Sequence, residues 1–177
     1  MTYNPYASVV VPSLAAMASF SNILTKASHH DGADASSLLA ARLYPDMKPI
    51  GFRVWAATNC AARLTARLAG ADLPGWADDL VTFDDMLARI KEVQDYMRTF
   101  DEATINGRLK EPIYLRPDYQ TEELQPYSSE AVAFGSSLPT ILFHLTIAYS
   151  ILRSEGVPLD KEDFIQAFSE GYKPITQ

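Results

Sequence analysis

Two side chains in helical surroundings could carry acid–base or anion-binding chemistry, and they are His144 and Arg53. His144 lies in the middle of a long apolar segment, and imidazole exchanges protons readily near neutral pH. Arg53 borders an apolar stripe, where a guanidinium is costly to bury unless a partner compensates its charge. A ligand carboxylate, phenolate or carbonyl could be that partner. The alternatives are a hydrogen-bonded core histidine and an arginine whose stem reaches solvent.

Further polar and aromatic residues are candidates for binding a ligand beside this pair, namely Asp46, Trp55, Tyr149 and Tyr114. Asp46 follows Pro45 and is equally typical of a helix start, where a carboxylate interacts favourably with the helix dipole. Trp55 and Tyr149 could be core residues or the wall of a pocket. Cys60 is the only cysteine, so no intrachain disulfide can form. A lone cysteine in an apolar helix is usually a packing residue.

The composition excludes several classes of function. The net charge is −7 and the isoelectric point is near 4.9, and the basic residues are scattered, so we expect no binding to nucleic acid. The apolar stretch 7–24 is interrupted by polar residues and Pro12, which indicates a core helix and not a signal peptide or membrane span. We therefore expect a cytoplasmic protein without membrane contact, whose partner is a small molecule. A homodimer is compatible with the sequence.

Apolar residues at spacings of three and four predict four long helices. The first spans about 8–28. The second begins near Pro45, which suits a first helical turn, and ends at Gly70. The third opens at Thr82, an N-cap candidate, and buries a stripe composed of Phe83, Met86, Ile90, Val93 and Met97. A short helix over 36–43 precedes the second long one, and a short amphipathic helix over 160–168 follows the fourth.

The fourth helix, about 128–155, is the most apolar and is predicted to be central, with Leu142 and Leu145 buried. Pro139 lies inside it and should kink it. The connection 101–127 between the third and fourth helices is long enough to suggest a lid. Its segment 113–115 is predicted to be a strand, and the tyrosines that could pack it are Tyr114, Tyr119 and Tyr127. The fold predicted for 1–177 is a single all-α domain, a four-helix bundle.

Four stretches in chain order are distinctive, namely NILTKA at 22–27, ARLYPDMKPIGF at 41–52, TFDDMLARI at 82–90 and LPTILFHLTIAYSILRSEGVPLDKEDF at 138–164. Together with Tyr6 and the apolar helix after it, they resemble an uncharacterised family of DinB/YfiT-like proteins from fungi and bacteria. The resemblance covers nearly the whole chain. It implies an up-down-down-up four-helix bundle, which agrees with the four helices predicted from periodicity.

Better-studied relatives in that superfamily hold a divalent metal with three histidines, one on the second bundle helix and an H-x-x-x-H pair on the last. By this resemblance the pair would be His144 and position 148, which is Ala148, and the second-helix position is Arg53. An intact Zn²⁺ or Ni²⁺ site needs three or four N, O or S ligands. The sequence also contains no phosphate-binding glycine loop and no H-E-x-x-H, G-x-S-x-G or C-x-x-C motif. We therefore expect no metal and no other cofactor.

Two functions fit these observations. The first is a small-molecule-binding, metal-independent biosynthetic enzyme of the isomerase, cyclase or lyase type. In it His144 is the acid–base group and Arg53 holds an anionic or enolisable substrate. The second is a non-catalytic bundle that binds an apolar ligand or a partner. The enzyme hypothesis requires both side chains to face one inter-helical cavity, which the connection 101–127 would close.

Overall fold

The computed structural model describes residues 3–32, 34–116 and 122–170, and helices dominate it. The elements in chain order are α1 (Val11–Ser28), α2 (Ala35–Ala40), α3 (Ile50–Ala69), α4 (Phe83–Met97), α5 (Glu102–Gly107), β1 (Ile113–Leu115), β2 (Gln125–Tyr127), α6 (Ser129–Val132), α7 (Leu138–Ser154) and α8 (Lys161–Ser169). Single π-helical turns, Tyr6–Val10 and Ala133–Ser137, lead directly into α1 and α7. The predicted strand at 113–115 is confirmed.

The helices α1, α3, α4 and α7 form the four-helix bundle, in which α1 and α3 are each packed against both α4 and α7. Helices α3 and α7 are antiparallel, because Cys60 contacts Ser137 while Phe52, further back on α3, contacts His144, further on along α7. The linker after α3 runs back along it, with the Trp55 indole N–H donating to the Trp76 carbonyl at 2.8 Å. Helix α4 therefore starts at the same end as α3. This order is up-down-down-up, and the predicted all-α bundle is confirmed.

Local signals explain the boundaries of two bundle helices. The Thr82 hydroxyl accepts from the Asp85 backbone N–H and the Asp85 carboxylate accepts from the Thr82 backbone N–H, so both hydrogen bonds of a capping box are present. Gly70 ends α3 in the left-handed conformation, at φ +68°, which costs glycine no steric strain. The start of the second long helix was predicted wrongly. Helix α3 begins at Ile50 because Pro49, with ψ near 180°, serves as its N-cap.

Helix α7 is less buried than its sequence predicts, and α3 is the most deeply buried bundle helix. Leu145 is fully buried, but 39% of Leu142 is exposed, so the prediction that Leu142 is a core residue is wrong. The reason is that α7 carries apolar residues around most of its circumference, while neighbouring helices cover only one side of it. Pro139 lies in the first turn of α7, and the π-helical turn before it accommodates the proline's missing N–H.

The connection 101–127 does not cover His144, so the lid predicted there is wrong for the residues described. Arg108 lies against Gly70, and Ile113 lines a small cleft with Arg67 and Leu68, which places the connection at the C-terminal end of α3. His144 contacts Phe52 near the opposite end of that helix. Strands β1 and β2 pair antiparallel, with Ile113 opposite Tyr127. Tyr119 lies outside the described residues.

Candidate functional site

His144 is half-buried on the side of α7 that faces α3. Its ring packs edge-on against Phe52, with centroids 5.9 Å apart, and against Phe143 at 5.3 Å. The Nδ1 atom is buried and has no hydrogen-bond partner among the described residues. Burial of the ring, together with the positive charge of Arg53, lowers the pKa of His144 from 6.5 to about 4. The imidazole is therefore neutral at physiological pH, and one of its nitrogens is a free acceptor.

Arg53 is buried at the start of α3, with only 5% of its surface exposed. Its Nε and Nη2 atoms donate to the Lys48 carbonyl oxygen at 3.3 and 3.1 Å, and its guanidinium carbon lies 5.5 Å from the centre of the Phe52 ring. Within the described chain no carboxylate forms an ion pair with it. Burial lowers the pKa of this guanidinium, but an arginine keeps its proton at physiological pH. Arg53 is thus a buried cation without an anion.

Phe52 connects the two groups, since its ring contacts both His144 and the Arg53 guanidinium. Arg53 is also close enough to His144 to affect its ionisation, because the positive charge of Arg53 contributes to the low pKa of His144. Phe52 was not singled out in the sequence. Its position directly before Arg53, in a helix that carries its apolar stripe on another face, is the signal that could have identified it. The structure therefore brings together His144, Arg53 and Phe52.

The surroundings of His144 do not fit the three-histidine metal site that the resemblance implies. Ala148 has no ligand atom, and Arg53 supplies a positive charge that disfavours a cation at the same place. Among the described residues, no group of three or more His, Cys, Asp or Glu side chains is close enough to hold a metal ion. A metal would therefore have to bind through groups other than those of the related triad.

A cleft of about 560 Å³ opens at the N-terminal end of α3, and Phe52 forms part of its wall. The other lining residues include Arg42, Lys48, Asp78 and Asp79, so both signs of charge occur around it. Neither His144 nor Arg53 lines this cleft, so the prediction that both side chains face one inter-helical cavity is wrong for it. The Phe52 ring stands in the wall of the cleft and contacts both of them. The segments that border the cleft are parts of 36–49 and 78–81. They occupy the position that the connection 101–127 was predicted to take.

The other predicted ligand-binding residues are not all near this site. Trp55 is close, with its ring 5.4 Å from Phe52, but its indole N–H is already bonded to the Trp76 carbonyl. Asp46 is exposed in a turn before α3, so its predicted place in the first helical turn is wrong. Tyr149 packs on the other side of α7, against Phe164 of α8, with ring centroids 6.1 Å apart. Tyr114 is exposed on β1, at the far end of the bundle.

A second cleft, of about 420 Å³, lies between the N-terminal halves of α1 and α7 and is almost wholly apolar. Its lining residues are Ser8, Pro12, Ala16, Phe134, Leu138, Pro139, Ile141, Leu142 and Phe168. Both π-helical turns border it, each followed by a proline that cannot donate to the carbonyl four residues earlier.

Cys60 does not line this cleft and lies where α3 packs against the turn before α7. Its thiol donates to the Ser137 carbonyl at 3.6 Å, and burial raises the pKa of that thiol.

Comparison with known proteins agrees with this architecture. The crystal structure of a DinB family member protein from Shewanella denitrificans is similar over 97% of this chain and 94% of that chain, with 26% sequence identity and a TM-score of 0.81. No curated protein matches this chain. Over residues 6–165 the sequence matches the family described as Domain of unknown function (DUF1993). The protein therefore belongs to the DUF1993 family and has the DinB-like helical-bundle fold.

Proposed function

We propose that this protein binds a small acidic molecule between α3 and α7 and catalyses proton transfer on it without a metal, as an isomerase, cyclase or lyase. The observation that carries the proposal is Arg53, a cation that is 5% exposed and has no anionic partner among the described residues. A buried charge without a partner is costly to the fold. A ligand carboxylate or enolate would supply the missing negative charge, and a carboxylate could accept two guanidinium N–H groups at once.

His144 is the proton-transfer group in this proposal. A neutral imidazole with a free nitrogen can take a proton from a carbon or hydroxyl of the substrate and return it at another position. Arg53 stabilises the negative charge that develops meanwhile. The low pKa of the ligand-free ring, about 4, makes it a weak base. An anion bound at Arg53 would offset the positive charge beside the ring and raise the pKa of His144 toward the range useful at neutral pH.

Phe52 controls access in this scheme. Its ring forms part of the wall of the 560 Å³ cleft and contacts both functional groups. A substrate in the cleft reaches them only if this ring moves to another rotamer. Once the substrate is bound, a ring that returns would exclude water and strengthen the electrostatic interactions of Arg53.

The proposal is tested first by binding, because the substrate is unidentified. A panel of small carboxylates, including benzoate and several 2-oxo acids, is titrated into the wild type while the His144 ring signals are followed by NMR. At least one member is expected to bind and to raise the pKa of His144. Arg53→Met should abolish this response. Arg63→Met, which replaces a half-buried arginine on the same helix, should leave it intact. If no acid moves the His144 signals, or if both variants respond like the wild type, the proposal is wrong.

A second candidate is a non-catalytic binding bundle. The observation that favours it is the 420 Å³ cleft between α1 and α7, whose size is typical of ligand sites but which lacks convergent polar side chains. This candidate predicts that binding depends on Leu142 and Phe134 and is unaffected by Arg53→Met. Variants at Leu142 and Phe134, compared with Arg53→Met, therefore separate this candidate from the enzyme proposal.

A further inference from the structure

The outer surface of the N-terminal halves of α1 and α7 is apolar and carries no charge. Residues 6–25 and 131–152 contain no Asp, Glu, Lys or Arg, although the chain has 22 acidic and 15 basic residues. Large apolar side chains are exposed there, with Val11 at 48%, Phe134 at 47% and Phe143 at 52%. Monomeric proteins rarely expose contiguous apolar surface of more than a few hundred Å². We call this surface, together with the cleft between the two helices, the α1–α7 face.

The apolar length of these helices exceeds what the bundle needs. Helices 6–28 and 129–154 are long and apolar enough to cross a membrane, yet only 50% and 39% of their most apolar windows are buried in the bundle. Helix α8 covers the C-terminal half of the groove between them, where the Ser19 hydroxyl donates to the Phe164 carbonyl at 2.6 Å. Towards the N-terminal ends the groove is open beyond Phe168. The exposed apolar residues are concentrated in this open half.

We propose that the α1–α7 face binds a second copy of this chain in a two-fold symmetric dimer. Two copies that each carry a net charge of −7 repel one another at most orientations, and this uncharged face minimises that repulsion on contact. The face also has the complementary shapes that an isologous interface requires. Phe134 and Leu142 are partly exposed at the edge of a cleft of about 420 Å³, so these side chains of one copy can enter the cleft of the other.

The size of the face suits a weak dimer, at the lower end of biological interfaces. The open half is about 20 Å long, from the helical rise, and about 20 Å wide for two adjacent helices. Each copy thus contributes roughly 400 Å² in projection and more in accessible area, because helical ridges are corrugated. The total approaches the ~1,000 Å² that a biological interface should exceed. A membrane surface is the less suitable occupant, since interfacial helices use rows of Lys and Arg that this face lacks.

The dimer face and the His144 site lie on different sides of α7. Leu142 and His144 are two residues apart, which is about 200° around a helix. The proposal is therefore independent of the acid–base function, and variants at Leu142 leave His144, Arg53 and Phe52 in place.

Sedimentation equilibrium of the full chain from about 1 to about 200 µM tests the proposal. The wild type is expected to form dimers, and raising the NaCl concentration from about 50 to about 500 mM should tighten them by screening the like charges. Leu142→Glu should raise the dissociation constant at least a hundredfold. Leu124→Glu, at an exposed leucine outside the face, should not change it. If Leu142→Glu unfolds by circular dichroism, Leu142→Ala is used, with at least a tenfold increase expected.

Three results would overturn the proposal. The first is a wild type that stays monomeric over the whole concentration range. The second is a dimer that Leu142→Glu leaves intact. The third is a monomer that instead binds vesicles of phosphatidylcholine and loses that binding in Leu142→Glu, since the face would then contact lipid.

Discussion

The two sides of α7 show opposite kinds of incompleteness. On the side facing α3, the His144 Nδ1 atom has no hydrogen-bond partner and the Arg53 guanidinium, bonded only to the Lys48 carbonyl, has no carboxylate partner among the described residues. On the side facing α1, polar groups are few but apolar surface remains open in a cleft of about 420 Å³. Polar groups without partners suggest a ligand with charge or hydrogen bonds. Open apolar surface suggests another apolar surface. One helix thus carries, on different sides, the two surfaces for which binding is proposed.

Two glycines, one in close packing and one in open surroundings, predict the largest effect of a substitution. A Cβ atom at Gly51 would lie 2.3 Å from the Leu80 carbonyl oxygen, whereas one at Gly135 would meet nothing within 4 Å. Gly51→Ala should lower the free energy of unfolding by about 1–3 kcal/mol, because the backbone of the linker must shift. Gly135→Ala should be neutral or stabilising by up to ~1 kcal/mol. Urea unfolding measures both, and a neutral Gly51→Ala would contradict the close contact of α3 with the linker.

The buried charge of Arg53 predicts a smaller change in stability, in the stabilising direction. Arg53→Met replaces a buried cation with an apolar chain of similar length and should raise stability by about 1 kcal/mol. For a chain of this size the melting temperature would rise by about 2–4 °C. The Lys48 carbonyl loses its donor but lies in an exposed segment, where water can replace it. Arg63→Met is the control and should change the melting temperature less. A clear loss of stability in Arg53→Met would mean that Arg53 is structural and would weaken the ligand proposal.

The low pKa of His144 predicts the smallest effect, a pH dependence. Between about pH 6.5 and pH 4 the unfolded chain binds a proton at this residue that the folded chain does not. Stability is therefore lost as the pH falls through this window, and above it the residue contributes no pH dependence. The loss should be about 1 kcal/mol or less near pH 4.5, because the ring is only half-buried.

Urea unfolding at several pH values compares the wild type with His144→Phe, which should lose less stability on acidification. His29→Asn, at an exposed histidine, should behave like the wild type. Parallel curves for the wild type and His144→Phe would show that the proton is not excluded from the folded state, and the neutral-base role would lose its support.

Helix α4 was predictable because its signals are local. Thr82 and Asp85 form the capping box within one turn, and every residue of the predicted stripe is buried. Its polar face is strongly charged, so only one orientation buries the apolar residues without desolvating charge. Helix α7 lacks such a contrast. With apolar residues on most of its circumference, the sequence could not distinguish Leu145, which is buried, from Leu142, which is exposed.

The sequence by itself determined the helical class, the strand at 113–115, the end of α3 at Gly70 and the start of α4, because periodicity and capping act within a few residues. Only the tertiary structure decided that the connection 101–127 lies at the far end of the bundle from His144. It also decided that Tyr149 faces α8, away from the site, and that Phe52 contacts both His144 and Arg53. These relations depend on the direction in which each helix runs and on which neighbour covers each face. Both are set by packing between segments far apart in the chain, on which local sequence signals carry no information.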